Sequence, residues 1–276
     1  VLEQVTRHPG IAAGSEDKDP RARRRGIVIL AACLCFGVSL WAICAGAISI
    51  SFQDVIAVIL EKAGETDQTG TNAIVIWHLR IPRVLLGLLV GGTLSVSGVL
   101  LQGLFRNPLA DPGLIGVSAG AAFGAVCVLI FAGIFFPAAE WMQDIRFLPL
   151  AAFAGALGTA VIIYRIGTSS GATSVASLLL AGIAVNALVS SLIGLATFLA
   201  TDIQLRTLSF WTLGSLGGAA WKQLAIASPL CGVVLVLAPR FGQALNAAAL
   251  GEREAAHLGF DMQRVKWGVI ILTTLG

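Results

Sequence analysis

Residues 84–105 carry no charge, and Arg83 and Arg106 stand on either side of them. A helix rising about 1.5 Å per residue over that run crosses a hydrocarbon core roughly 30 Å thick, with a basic anchor at each end. Other uncharged runs predict spans near 26–50, 114–136, 147–164, 175–200 and 223–239, and a seventh beginning at Trp267. Composition agrees: 57% hydrophobic residues, 12% charged and a mean hydropathy of +0.88 leave too little polar surface to cover a soluble globule. The expected fold class is therefore all-α, a polytopic membrane helix bundle. About ten apolar residues from Trp267 to the end cannot cross a bilayer that needs roughly twenty. A longer protein is thus expected, of which about six and a half spans are present.

Residues 1–25 are rich in charge and end Arg21-Ala22-Arg23-Arg24-Arg25. They read as a loosely ordered tail preceding a membrane domain over 26–276. Ala45-Gly46-Ala47 resembles a signal-peptidase site, but the apolar run before it exceeds a typical h-region of about 7 to 15 residues. With the tail cytoplasmic and the spans alternating, 12 of the 18 Lys and Arg fall inside, as the positive-inside rule expects. The tail supplies six of those twelve, so the loops alone do not decide orientation.

On this topology 51–83, the loop around Glu140 to Arg146, and 201–222 lie outside. Ser51 to Leu60, with Val55, Ile56 and Ile59 on one side and Asp54 near the start, suits a short amphipathic helix on the membrane surface. Residues 203–221 include Arg206, Trp211, Gly214, Gly217, Gly218 and Trp221, a mixture that suits a half-helix dipping into the membrane under cover of protein.

Gly87, Gly91 and Ser95 recur every four residues in the second span, and Gly116, Gly120 and Gly124 in the third. Such faces let backbones approach closely. Packing within the chain is preferred to a seam between two copies, because adjacent spans share the pattern. Cys33, Cys35, Cys44, Cys127 and Cys231 all fall in apolar runs and read as small buried hydrophobes. His8, His78 and His257 have no metal-ligand spacing, and none of Lys18, Lys62, Lys222 or Lys266 follows a glycine as a phosphate-binding loop requires. No metal site and no ATPase site are expected in this chain.

Between the sixth and seventh spans, Gly251 and Gly259 bracket Glu252-Arg253-Glu254-Ala255-Ala256-His257-Leu258. The glycines delimit a helix of about two turns, with Glu252 and Glu254 at its positive N-terminal end and His257 toward the other. Ala255 and Ala256 offer a small surface for close packing. The segment is either a solvated connector or a rigid helix shaped to dock in a groove on a partner and carry force.

These residues resemble the permease subunit of type II ATP-binding-cassette importers for iron chelates, haem and cobalamin. The resemblance covers 26–276 and rests on Leu79-Arg80-Ile81-Pro82-Arg83, on Ser97-Gly98 to Gln102, on Asn107-Pro108-Leu109-Ala110-Asp111-Pro112-Gly113, on Leu178-Leu179-Leu180-Ala181-Gly182, and on Gly251-Glu252 to Leu258-Gly259. Within the family the chain most resembles the haem-uptake branch.

The resemblance implies a subunit of ten spans in the bacterial inner membrane, its N-terminus cytoplasmic, working as a homodimer with two ATPase subunits and a periplasmic binding protein. ATP and Mg would sit on the partner ATPase, haem would be the cargo, and nucleic acid has no part. Arg80 and Arg83 match arginines that pair with acidic residues of the binding protein; two anchors snorkelling to headgroups are the alternative. Asn107, Pro108 and Leu109 match the turn that helps close the cytoplasmic end of the pathway, and Thr173 to Ser177 lie near its second closing element. Gly251 to Gly259 match the coupling helix on the ATPase. Asn186, Ser190, Ser191 and Thr197 would line the pathway, unless they bond their own backbone or a neighbouring helix. The family's third docking arginine and its Gly-Phe-x-Gly-Leu-x-x-Pro-His stretch have no counterpart in these residues.

The mechanism implied is alternating access driven by the ATPase. An ion-coupled secondary transporter would need acids or bases within the membrane, and 84–105, 114–136 and 175–200 hold none. An intramembrane enzyme would need a catalytic pair at membrane depth, and the spans offer none. A membrane scaffold gives no reason for the Glu-Ala-Ala segment. Haem, a ferric siderophore and cobalamin all stay compatible with the residues, His78, Tyr164, Met142 and Met262 included.

Overall fold

The computed structural model describes residues 20–46, 48, 50–63, 71–132, 147–169 and 172–276. The tail before Pro20, the loop around Glu140 to Arg146 and the end of the third expected span lie outside the described residues. The chain divides into two units, Val1–Ile76 and Trp77–Gly276.

In the first unit α1 spans Pro20–Cys44. Proline suits a first helical position, where its missing N–H has no intrahelical partner to lose. The helix thus starts earlier than expected, and Arg23, Arg24 and Arg25 lie on its first turns. Ile27, Leu30, Leu34, Phe36 and Trp41 are all exposed, an apolar surface on several sides that suits a helix in a membrane. Cys33 and Cys35 are exposed with them, so burial within the protein does not explain these cysteines; Cys231 is buried as expected. In α2 (Phe52–Ala63) the Ser51 hydroxyl accepts the Asp54 N–H at 3.1 Å, and Val55 and Val58 turn inward while Ile56 stays exposed. A turn of helix, α3 (Thr71–Ile74), ends the unit.

A π-helical turn, Val75–Arg80, leads into α4 (Ile81–Phe105). Pro82 supplies no N–H to the turn before it and its ring crowds the carbonyl there, which widens the helix at this point. The second unit continues with α5 (Val117–Val126), a second π turn (Cys127–Phe131), α6 (Leu148–Gly167), α7 (Val175–Phe198), α8 (Asp202–Leu213), α9 (Trp221–Leu237), α10 (Gly242–Leu250), α11 (Glu252–His257) and α12 (Met262–Leu275). Thr168 and Ser169 pair antiparallel with Thr173 and Ala172 in a two-residue ladder between α6 and α7, a local feature the all-helical expectation did not contain.

Among the described residues five helices are long and apolar enough to cross a membrane: Ala22–Cys44, Asn72–Phe105, Leu148–Gly167, Val175–Phe198 and Trp221–Leu250. The shorter apolar helix Val117–Phe131 marks the third expected span. The expected membrane helix bundle is thus the fold observed, with differences of extent: α1 runs Pro20–Cys44 rather than 26–50, and residues 71–83, placed in an external segment, are helical.

Glycine sets the closest contact. Gly116, Gly120 and Gly124 lie opposite Thr159, Gly155 and Ala151, so α5 and α6 run antiparallel; a Cβ on Gly120 or Gly124 would strike the Gly155 or Ala151 carbonyl. Gly182 of α7 packs likewise against the Leu114 carbonyl. The Gly87-Gly91-Ser95 face differs from its expectation. A Cβ on Gly91 would meet none of the described residues within 4 Å, and Ser95 is exposed with its hydroxyl donated to the Gly91 carbonyl at 2.7 Å. Leu101, Leu104, Phe105, Ile163, Leu178, Val234 and Val269 fill the main core.

Candidate functional site

Two ends of the second unit gather the residues singled out from the sequence. At one end Arg83 is exposed, and its guanidinium donates to the carbonyls of Leu216 (3.2 Å) and Gly217 (3.1 Å) in the loop that follows α8. Arg80, expected as an exposed fork, is buried at 8% exposure. The π turn accounts for part of this, because it changes the angular step between Arg80 and the α4 face that carries Arg83. The arginines therefore differ: one is held in the protein, the other reaches over a loop.

Segment 201–221 is built around this end. Thr201 and Gln204 form a reciprocal capping box, which starts α8 sharply. Twelve residues give about 18 Å of helix, less than a bilayer core, as a half-helix requires. Gly214, at φ +72°, ends it. Each π turn also gives a carbonyl to this segment. The Trp221 indole N–H donates to the Trp77 carbonyl at 2.9 Å with the two rings 5.3 Å apart, and the Gln204 amide donates to the Leu129 carbonyl at 2.6 Å. A widened turn misaligns the usual i+4 donor, so side chains meet the need of carbonyls there.

At the opposite end the Asn-Pro-Leu-Ala-Asp-Pro-Gly connector holds itself together. Arg106 ends α4 in the left-handed region, at φ +51°. Asn107 Oδ1 then accepts the Leu109 N–H at 3.0 Å, and Asp111 Oδ1 accepts the Gly113 N–H at 2.6 Å. These are the short side-chain-to-backbone bonds that Asn and Asp make in turns. Pro108 is exposed and Leu109 is 85% exposed, projecting an apolar side chain from a rigid turn. Ser174 caps α7 by accepting the Ser177 N–H at 3.5 Å.

The residues expected to line a pathway on α7 fare differently from one another. Asn186 donates to the Gly113 carbonyl at 2.8 Å and so ties α7 to the Asn107–Gly113 connector; its buried Oδ1 has no partner among the described residues. Ser191 and Thr197 return their hydroxyls to their own helix, at 2.8 Å each, and Ser190 is exposed. A separate groove of about 680 Å³ between α4 and the α9–α10 segment is lined by Val99, Gln102, Arg106, Leu235, Leu245 and Asn246. None of the four α7 residues borders it.

Beyond α10 the chain turns at Gly251 (φ +143°), forms α11, and turns again at Gly259 (φ +89°). The glycine-bracketed two-turn helix is present, but its faces are not as read from the sequence. Ala255 is wholly buried against Ala247, Ala248 and Met262. Arg253, Glu254, Ala256, His257 and Leu258 remain exposed. Glu252 accepts a hydrogen bond from Lys266 Nζ at 2.7 Å, and Lys266 is 1% exposed. Asp261 caps α12 through the Gln263 and Arg264 N–H groups. One turn further on, the buried Tyr164 of α6 donates to Gln263 Oε1 at 3.0 Å and stacks 4.3 Å from Trp267. Gln204 and Gly155 were not named from the sequence; Trp221 was read only as part of the 203–221 mixture and Lys266 only as a lysine that follows no glycine, although a lysine at the head of an apolar run was a signal for it.

Five helices long and apolar enough to cross a membrane, among the described residues, define a polytopic α-helical membrane protein. The model of the FecCD transport family matches residues 31–276, and the chain belongs to that family. It is 38% identical over 234 residues to the hemin transport system permease protein HmuU of Yersinia pestis, covering 83% of this chain and 65% of the relative. It is 37% identical to the cobalamin import system permease protein BtuC of Halobacterium salinarum, covering 71% of this chain and 50% of the relative. A solved transporter assigned to the metal-chelate ABC type, in an inward-facing conformation, superposes with a TM-score of 0.74 at 27% identity, over 91% of this chain and 73% of that one. The chain thus spans between half and two thirds of the length of these two permeases.

Proposed function

We propose that this chain is part of the permease subunit of a bacterial ABC importer, and that its cargo is haem. The carrying observation is α11, a short helix fixed to the bundle on one side and bare on the other, as a coupling element that docks on a separate ATPase must be. Family membership and the similarity to a hemin permease support the reading. Cobalamin permeases are nearly as similar, so cobalamin, or a ferric siderophore, is the alternative cargo for the same machinery.

In this reading the protein sits in the inner membrane, N-terminus in the cytoplasm, as a homodimer with two ATPase subunits. The binding protein docks at the Arg83 end. Asn107, Pro108 and Leu109 close the opposite end, where Leu109 is the apolar plug. ATP binding and hydrolysis in the partner rock the two permease halves, with no chemistry on the cargo. Arg83 reaches incoming carboxylates only by sharing or leaving the Leu216 and Gly217 carbonyls, and a charged acceptor competes well with a neutral one.

The test is ATP-dependent uptake into proteoliposomes holding the full-length permease and its ATPase, with the binding protein loaded in turn with hemin, a ferric siderophore or cobalamin. Uptake of hemin alone is expected. Uptake of another cargo alone keeps the mechanism and replaces haem; no ATP-dependent uptake of any overturns the importer reading in favour of an ion-coupled transporter.

A further inference from the structure

A helix of six residues is too short to persist by its own hydrogen bonds. Three things hold α11: the turns at Gly251 and Gly259, the burial of Ala255 against α10 and Met262, and the bond between Glu252 and Lys266. The last is the unusual one. An ammonium withdrawn from water needs a close partner of opposite charge, and breaking such a pair costs far more than making it gains. Glu252 keeps its side chain 39% exposed, yet its Oε2 points back to Lys266 at 2.7 Å.

Lys266 lies in the second turn of α12, between Gln263 and Trp267. Gln263 is bonded to Tyr164, and Trp267 packs on the same ring. A displacement of α11 therefore reaches α12 through the ion pair as well as through Ala255 on Met262, and α12 in turn meets α6 at Tyr164. Resting on the importer reading above, we infer that Lys266 and Glu252 are positioning residues that make α11 move as one body with α12. Glu252 acts inside the chain, and contact with the ATPase belongs to the bare face of Arg253, Glu254, Ala256, His257 and Leu258.

The experiment measures hemin uptake and ATP hydrolysis separately in proteoliposomes of the full-length permease with its ATPase and hemin-loaded binding protein, alongside retention of the ATPase in detergent pull-down. Glu252→Gln keeps the shape and an acceptor oxygen, so it tests the charge pair even where Lys266→Met folds poorly. Both variants are expected to retain the ATPase while hemin moved per ATP falls about tenfold, the size of an ordinary coupling between sites. Lys266→Arg is expected to restore most of the ratio. The double variant Glu252→Leu with Lys266→Met is expected to lose less than Glu252→Leu alone, which leaves the buried ammonium without its carboxylate. Unchanged hemin per ATP in Glu252→Gln overturns the inference, and so does loss of ATPase retention in Glu252→Gln with normal retention in Lys266→Met. If the wild-type complex takes up none of hemin, a ferric siderophore and cobalamin with ATP, the importer reading falls and this inference falls with it; where another cargo is the one moved, the ratio is read with that cargo.

Discussion

Gly124 and Gly91 look alike in sequence, each four residues from another glycine in an apolar run, but they have opposite surroundings. A Cβ at 124 would press on the Ala151 carbonyl, whereas one at 91 meets none of the described residues within 4 Å. Gly124→Ala is expected to destabilise the isolated subunit by about 1–3 kcal/mol, because backbone cannot yield as a side-chain tip can. Gly91→Ala is expected to stabilise it by about 0.5–1 kcal/mol through helix propensity. Thermal unfolding of both variants in one detergent checks the opposite signs. Asn186 and Ala255 make the same point for site residues. Asn186 reads as a wall residue and is a tie to Gly113; Ala255 reads as a docking surface and is core.

The π turns are where helices depart from what periodicity foretells. Pro82 is a visible cause of the first, and no residue type announces the second, at Cys127–Phe131. Both carry a carbonyl that accepts from the 201–221 segment, so α8 and the start of α9 act as a brace across one end of the bundle. Gln204→Leu removes a donor to the Leu129 carbonyl and half of the Thr201 capping box, a loss of about 1–2 kcal/mol. It is expected to speed amide hydrogen exchange at 201–206 while leaving α6 protected. Equal exchange in variant and wild type would show that the brace does not depend on Gln204.

For the molecule as a whole, the bonds sort connectors into two groups. Arg83, Leu129, Gln204, Leu216 and Trp221 mark one end; the Asn107–Gly113 connector, Tyr164, Ser174 and α11 mark the other. The proposed orientation puts the second group in the cytoplasm. In sealed, right-side-out vesicles, Ser215→Cys is expected to react with a membrane-impermeant maleimide, and Ala256→Cys only after permeabilisation. The reverse pattern would invert the topology and move the proposed ATPase contact to the wrong side.

The order of spans, their anchoring charges and the glycine limits of α11 were legible along the chain, whereas Asn107, Pro108 and Leu109 were marked as a turn only by resemblance. The first three follow from local chemistry: runs without charge are stable in lipid, and glycine alone takes φ near +143° easily. What a line of residues does not contain is which face meets which neighbour. Hydropathy distinguishes lipid from water, but lipid and protein interior are equally apolar, so the pattern that places a helix in the membrane says little about its rotation. The burial of Arg80, the turn of Ala255 into the bundle, the meeting of Gly155 with Gly120 and the pairing of Lys266 with Glu252 arise from contacts between separate elements. They were decided by packing, because a backbone contact or a buried charge tolerates only the partner that the folded chain brings to it.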